Sequence, residues 1–104
     1  MTAAAPKPRK ITFEEVNSRA LAALPHILAR VLPGGKKYGN EYKVRNPTRA
    51  DNSPGSFSVN TRTGKWADFA TGDKGGDPVS LVAYLEGIKQ SEALERLAQM
   101  LGLS

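Results

Sequence analysis

Few residues of this 104-residue chain could do covalent or metal chemistry. There is no cysteine, which rules out disulfides, thiolate metal sites and a cysteine nucleophile. The single histidine, His26, follows Pro25 at the start of an apolar helical run and reads as a partly exposed helix residue. A zinc site would need that one imidazole plus several carboxylates. Asp68, Asp73 and Asp77 could gather round a magnesium ion, but hydrogen bonding and helix capping account for them as well. The loop Gly72 to Asp77, GDKGGD, has the glycines of a phosphate cradle without the Walker spacing or its Lys-Ser/Thr ending. Its two aspartates near a helix N-terminus would repel an anion. No nucleophile has a plausible base beside it, so binding is the chemistry left. The residues suited to binding are cations and aromatics: Lys36, Lys37, Lys43, Arg45, Arg62 and Lys65 for phosphates, Tyr42 and Trp66 for stacking on bases. A lone tryptophan in a small domain is more often core than a stacking platform, and Trp66 is open to both readings in that order.

The elements that must position these residues follow from periodicity and turn chemistry. Thr12 and Glu15 form a capping box, and Phe13, Val16, Ala20, Leu21 and Leu24 fall at helical spacing behind it. Pro25 interrupts that helix and opens a second short one to Leu32. Pro33-Gly34-Gly35 ends the helical part, and Lys36 to Asn40 reads as a basic loop. Glu41 to Arg45 alternates like a strand, with Tyr42 and Val44 on one face and Lys43 and Arg45 on the other. Turn formers fill Asn46 to Gly55. Phe57 to Asn60 and Lys65 to Phe69 then alternate as two strands, joined by Thr61-Arg62-Thr63-Gly64 as a hairpin. Asp77 caps a helix with Pro78 at its first position, striped by Leu81, Val82, Leu85 and Ile88 and stopped by Gly87. Ser91 is the expected cap of the last helix, striped by Leu94, Leu97, Ala98 and Leu101 and ended by Gly102. The fold class predicted is α+β: an antiparallel sheet of about three strands between N-terminal helices and a C-terminal antiparallel helical pair that packs on it.

Length and charge narrow the setting. The hydrophobic content, 39%, suffices for one modest core, so residues 12 to 104 are expected to form a single domain behind a basic tail of residues 1 to 11 that is disordered in isolation. No apolar run approaches the roughly 20 residues of a spanning helix, and the N-terminal cations have no apolar segment behind them, which predicts a cytoplasmic, non-membrane protein. The net charge of +5 is uneven: residues 1 to 12 carry +3 and residues 34 to 49 carry +4, while the stretches 50 to 77 and 78 to 104 each carry −1. Positive charge therefore lies in the tail and on the approach to the sheet, which suits a polyanion partner.

With the hairpin, the glycines and the following helix in place, the sequence resembles the zinc-binding N-terminal domain of bacterial and phage DNA primases over about residues 34 to 101. That family runs Cys-Pro-x-His, a Pro-Ser-Phe-Ser-Val strand, an aromatic strand ending Cys-x-x-Cys-Gly, then Gly-Gly-Asp and a helix. Here the frame reads Asn46-Pro47-Thr48-Arg49, then Pro54-Gly55-Ser56-Phe57-Ser58-Val59, then Trp66-Ala67-Asp68-Phe69-Ala70-Thr71-Gly72, then Gly75-Gly76-Asp77. The resemblance implies a zinc-ribbon-like sheet whose four ligand positions are Asn46, Arg49, Asp68 and Thr71. Arginine is a cation and threonine a poor ligand, so no metal and no cofactor is expected. An Arg49–Asp68 pair with hydrogen bonds from Asn46 and Thr71 is expected where the metal would sit.

The family's domain helps a separate catalytic domain select and hold single-stranded template. The resemblance thus implies a non-catalytic module for single-stranded DNA, with a primase catalytic domain or a helicase as a further partner. It also implies a place in mobile-element or phage replication, either as part of a longer primase or as a stand-alone relative. The alternative is a protein-interaction module of the same replication system, docking on a helicase or primase after the DNA surface has been given over to that partner.

Overall fold

The computed structural model describes residues 11–50 and 56–103, and its first element is set by a cap. The Thr12 hydroxyl accepts the Glu15 N–H at 3.1 Å, and α1 (Phe13–Ala22) follows. Ala23 separates it from α2 (Leu24–Val31), which carries Pro25 in its first turn. Most of the basic tail and the Ser53-Pro54-Gly55 turn lie outside the described residues. Ile11, at the end of that tail, is half-buried against the helices.

The sheet has five antiparallel strands in chain order: β1 (Lys36–Tyr38), β2 (Glu41–Val44), β3 (Phe57–Asn60), β4 (Trp66–Asp68) and β5 (Lys74–Gly75). The α+β class stands, with two more strands than expected at the sheet's edges. The supposed basic loop Lys36 to Asn40 is β1 and a two-residue turn. Gly39, at φ +60°, takes the first turn position, where a type II′ hairpin requires positive φ. β5 comes from the glycine-rich loop and pairs Gly75 with Trp66. Both strands are too short to show an alternating pattern, so pairing rather than local preference makes them. The β3–β4 turn is tied by Asn60, whose Oδ1 accepts the N–H groups of Arg62 and Thr63, while Gly64 adopts φ +80°.

Asp77 caps α3 (Pro78–Glu86) through a reciprocal pair: Ser80 N–H donates to its Oδ1 at 2.8 Å, and the Ser80 hydroxyl stands 3.4 Å from the Asp77 N–H. Gly87, at φ +65°, ends the helix. The last helix, α4 (Gln90–Met100), begins one residue before Ser91, after Lys89 and without a side-chain cap. Its C-terminus closes in a Schellman pattern, with Leu103 N–H on the Ala98 carbonyl and Gly102 N–H on that of Gln99.

Buried residues form two clusters rather than one core. Val16 and Ala20 of α1, Ile27 of α2, Val79, Val82 and Ala83 of α3 and Ala93, Leu97 and Ala98 of α4 make a helical cluster. Leu24, Leu28 and Leu32 join Val44, Phe57, Val59, Trp66 and Leu81 in a cluster between the sheet and α2/α3. The two are linked because α2 and α3 each contribute to both. The C-terminal pair therefore does not lie together on the sheet: α3 meets it, and α4 packs behind on α1 and α3.

Candidate nucleic-acid interface

Alternation in β2, β3 and β4 sends Val44, Phe57, Val59 and Trp66 into the core beneath the helices. The register then fixes what occupies the other face. Lys36 lies opposite Lys43, Lys43 opposite Ser58, Ser58 opposite Ala67, and Ala67 opposite Lys74. At the ordinary strand spacing this row spans about 19 Å. Arg45 and Lys65 share its alternation, Tyr38 stands opposite Glu41, and Arg62 is exposed in the β3–β4 turn. All the described helices lie on the core side, so this face is uncovered among the described residues.

Two features make the face suited to anions. Lys36 and Lys43 are direct cross-strand partners, a like-charge arrangement that destabilises a sheet, and neither has a carboxylate partner among the described residues. A groove of about 890 Å3 also opens at the β1–β2 side, lined among others by Lys36, Lys43, Arg45 and Tyr38. Tyr38 is 59% exposed, and Phe69, just past β4, is 73% exposed.

The expected binding residues divide accordingly. Lys36, Lys43, Arg45 and Lys65 come together on the uncovered face, with Arg62 at its margin. Lys37 is exposed but lies in the opposite row, beside Tyr42. Tyr42 is half-buried on the core side and pinned there: its hydroxyl accepts the Gly35 N–H at 3.1 Å and donates to the Leu32 carbonyl, and a Cβ on Gly35 would lie 2.4 Å from its ring. Trp66 is core, 5% exposed, stacked on Phe57 at 5.7 Å and tilted against Tyr84 at 4.7 Å. Its Nε1–H donates to Ser80 Oγ at 3.0 Å. Of its two readings, the core one holds. The aromatic that shares the cationic face is Tyr38, and the signal for it was the Gly39-Asn40 pair, a two-residue hairpin turn that puts Tyr38 beside Glu41.

At one end of the sheet a polar cluster is buried. Asp68, fully buried, accepts five donors: Arg49 Nε at 2.9 Å and Asn46 Nδ2 at 2.8 Å on Oδ2, and Arg49 Nη2 at 3.1 Å, Ala70 N–H at 2.8 Å and Thr71 N–H at 3.3 Å on Oδ1. The Arg49 hydrogen bonds hold its carboxyl far below the ordinary carboxylate range, with Asn46 and the Ala70 N–H adding to the effect and burial opposing it. Asn46 Nδ2 also reaches the Tyr84 hydroxyl at 2.9 Å, and that hydroxyl donates to Asp73 Oδ2 at 2.7 Å. Thr71 takes part through its backbone N–H, while its hydroxyl accepts from Asp73 N–H. Tyr84 was not singled out from the sequence. It lies one turn beyond Ser80 on α3, and only the packing of α3 on the sheet brings it here.

No family model matches this chain, and no curated protein does. Among solved structures, the crystal structure of the Aquifex aeolicus primase, comprising zinc binding and RNA polymerase domains, matches 86% of this chain and 21% of that one, with a TM-score of 0.68 and 24% identity. The fold is shared with a bacterial primase. The likeness concerns architecture, and the chain spans about a fifth of the primase fragment it matches, 21%.

The donor set at Asn46, Arg49, Asp68 and Thr71 does not fit zinc. A guanidinium occupies both oxygens of Asp68, the one carboxylate present, and among the described residues no group of three or more His, Cys, Asp or Glu side chains could hold a metal. What the cluster provides is a bidentate ion pair that ties the β2 end, the β4 end and α3 together.

Proposed function

We propose that this chain is a non-catalytic module of a primase or primase-helicase system that holds single-stranded DNA on its uncovered sheet face. The observation that carries this reading is the Lys36–Lys43 pair, which has no carboxylate partner among the described residues, flanked by Arg45, with Tyr38 exposed beside it. Two lysines held side by side without a counter-charge gain most from a phosphate, and an exposed aromatic on the same face gives a base something to stack on. The architecture shared with a bacterial primase supports a role in priming. A binding rather than catalytic role accords with the described residues: His26 is exposed on a helix, and the one deeply buried acid is locked in an ion pair.

The test is a titration of fluorescent single strands against salt. Engagement of five or six cations gives a slope of log K on log salt of roughly −3.5 to −4.2, at about −0.7 per phosphate. A version lacking residues 1 to 10 is expected to keep most of that slope, and Lys36→Ala with Lys43→Ala to lose about −1.4 of it. Absence of binding at low salt would overturn the reading. The alternative, docking on a helicase or primase partner, has its own support in Phe69, an exposed aromatic at the end of β4.

A further inference from the structure

Among the described strand residues that alternate onto the uncovered face, Glu41 is the single acid. An acid there opposes phosphate binding, and it does not serve to neutralise its neighbours: no lysine or arginine is in ion-pair reach of it among the described residues, although Lys43 is two residues away on the same strand. It is instead held by Ser58, whose hydroxyl donates to Oε1 at 2.7 Å. Ser58 is buried at the sheet centre, so this anchor is firm. On one side Glu41 stands opposite exposed Tyr38, and on the other opposite Asn60. The Asn60 Oδ1 is taken by the backbone of the β3–β4 turn, which leaves its amide NH2 as the available donor.

We infer that Glu41 reads the Watson–Crick edge of a base stacked on Tyr38, and that the preferred base is guanine. This rests on the proposed single-strand function of the same face. An ionised carboxylate can only accept. Guanine alone presents two adjacent donors on that edge, N1–H and the N2 amino group, which match the two carboxylate oxygens. Its O6 falls next in line, where the Asn60 amide can donate. Adenine and cytosine offer one amino group beside a ring-nitrogen lone pair that faces the carboxylate, and thymine offers one N–H between two carbonyls. Single-stranded recognition generally works this way, with a splayed base stacked on an aromatic ring and its pairing edge read by side chains.

The experiment uses the full chain and nine-residue thymidine strands whose central base is thymine, adenine, cytosine, guanine or hypoxanthine. The guanine strand is expected to bind about tenfold tighter than all-thymine, and hypoxanthine, which lacks the N2 amino group, in between. Glu41→Gln, which can still accept from Ser58, is expected to erase the guanine preference while leaving all-thymine binding equal or tighter, since a negative charge has left a cationic face. A residue that only supported the fold would weaken all strands together. Equal binding of the five strands by the wild-type protein, or a guanine preference that survives Glu41→Gln, would overturn the inference and leave the single-strand reading intact. Failure to bind any strand would overturn both.

Discussion

Asp68 is a buried carboxylate that accepts five hydrogen bonds. Deep burial of a charge is tolerated only when its hydrogen-bonding capacity is filled, and Arg49, Asn46 and two backbone amides fill it. Removing the carboxylate by Asp68→Ala takes from the guanidinium its bidentate acceptor and from the Asn46 amide one of its acceptors, at an expected cost of about 3 kcal/mol and a fall in melting temperature on the order of 10 °C, read by circular dichroism. The same pair sets an acid dependence. The folded carboxyl titrates below its unfolded value of 3.8, so its contribution is complete above that value and shrinks as the pH falls toward the folded one. Between those values the unfolded chain binds one more proton, and stability rises with pH by about 1.4 kcal/mol per unit from this group. Urea melts between pH 2 and 4 should show that slope in the wild type and lose it in Asp68→Asn. Asn46, Arg49 and Asp68 could be brought together from sequence only through the resemblance to the primase zinc-binding domain, whose ligand positions they occupy. Tyr84 could not, since nothing in a helical stripe says which polar tip will meet a sheet end.

The legible elements were those whose own sequence contains the reason for them. Caps at Thr12 and Asp77, the Pro25 interruption and the Gly87 and Gly102 stops all act within a few residues, and they lie where the structure has them. β1 and β5 have no such internal reason. Lys36, Lys37 and Tyr38 are all exposed, and Lys74-Gly75 is a strand only because β4 accepts it. β5 has a steric demand as well. A Cβ on Gly75 would stand 2.5 Å from the Trp66 indole, closer than any side chain permits. Gly75→Ala should therefore displace the ring, weaken its bond to Ser80 and cost about 1–3 kcal/mol, measured as a lowered urea midpoint. The Trp66 ambiguity had the same origin: a single tryptophan in an alternating strand is compatible with either face until the strand's partners are known.

Across the whole molecule, α2 and α3 join two buried clusters that the composition alone suggested would be one. The sheet is thereby fastened to the helices by side chains, and its far end is closed by the Arg49–Asp68 ion pair. Melting in the presence and absence of EDTA is expected to give the same midpoint, whereas a domain folded around zinc unravels when the ion is removed. Trp66 makes one further property of this layout useful. It is the chain's sole tryptophan, it is wedged between Phe57 and Tyr84 at the seam of sheet and α3, and it faces away from the cationic surface. Its intrinsic emission is thus an internal gauge of whether sheet and helices remain joined, insulated from events on the opposite side of the sheet. In a single sample, loss of the domain's integrity and release of a bound strand can be told apart without any label on the protein.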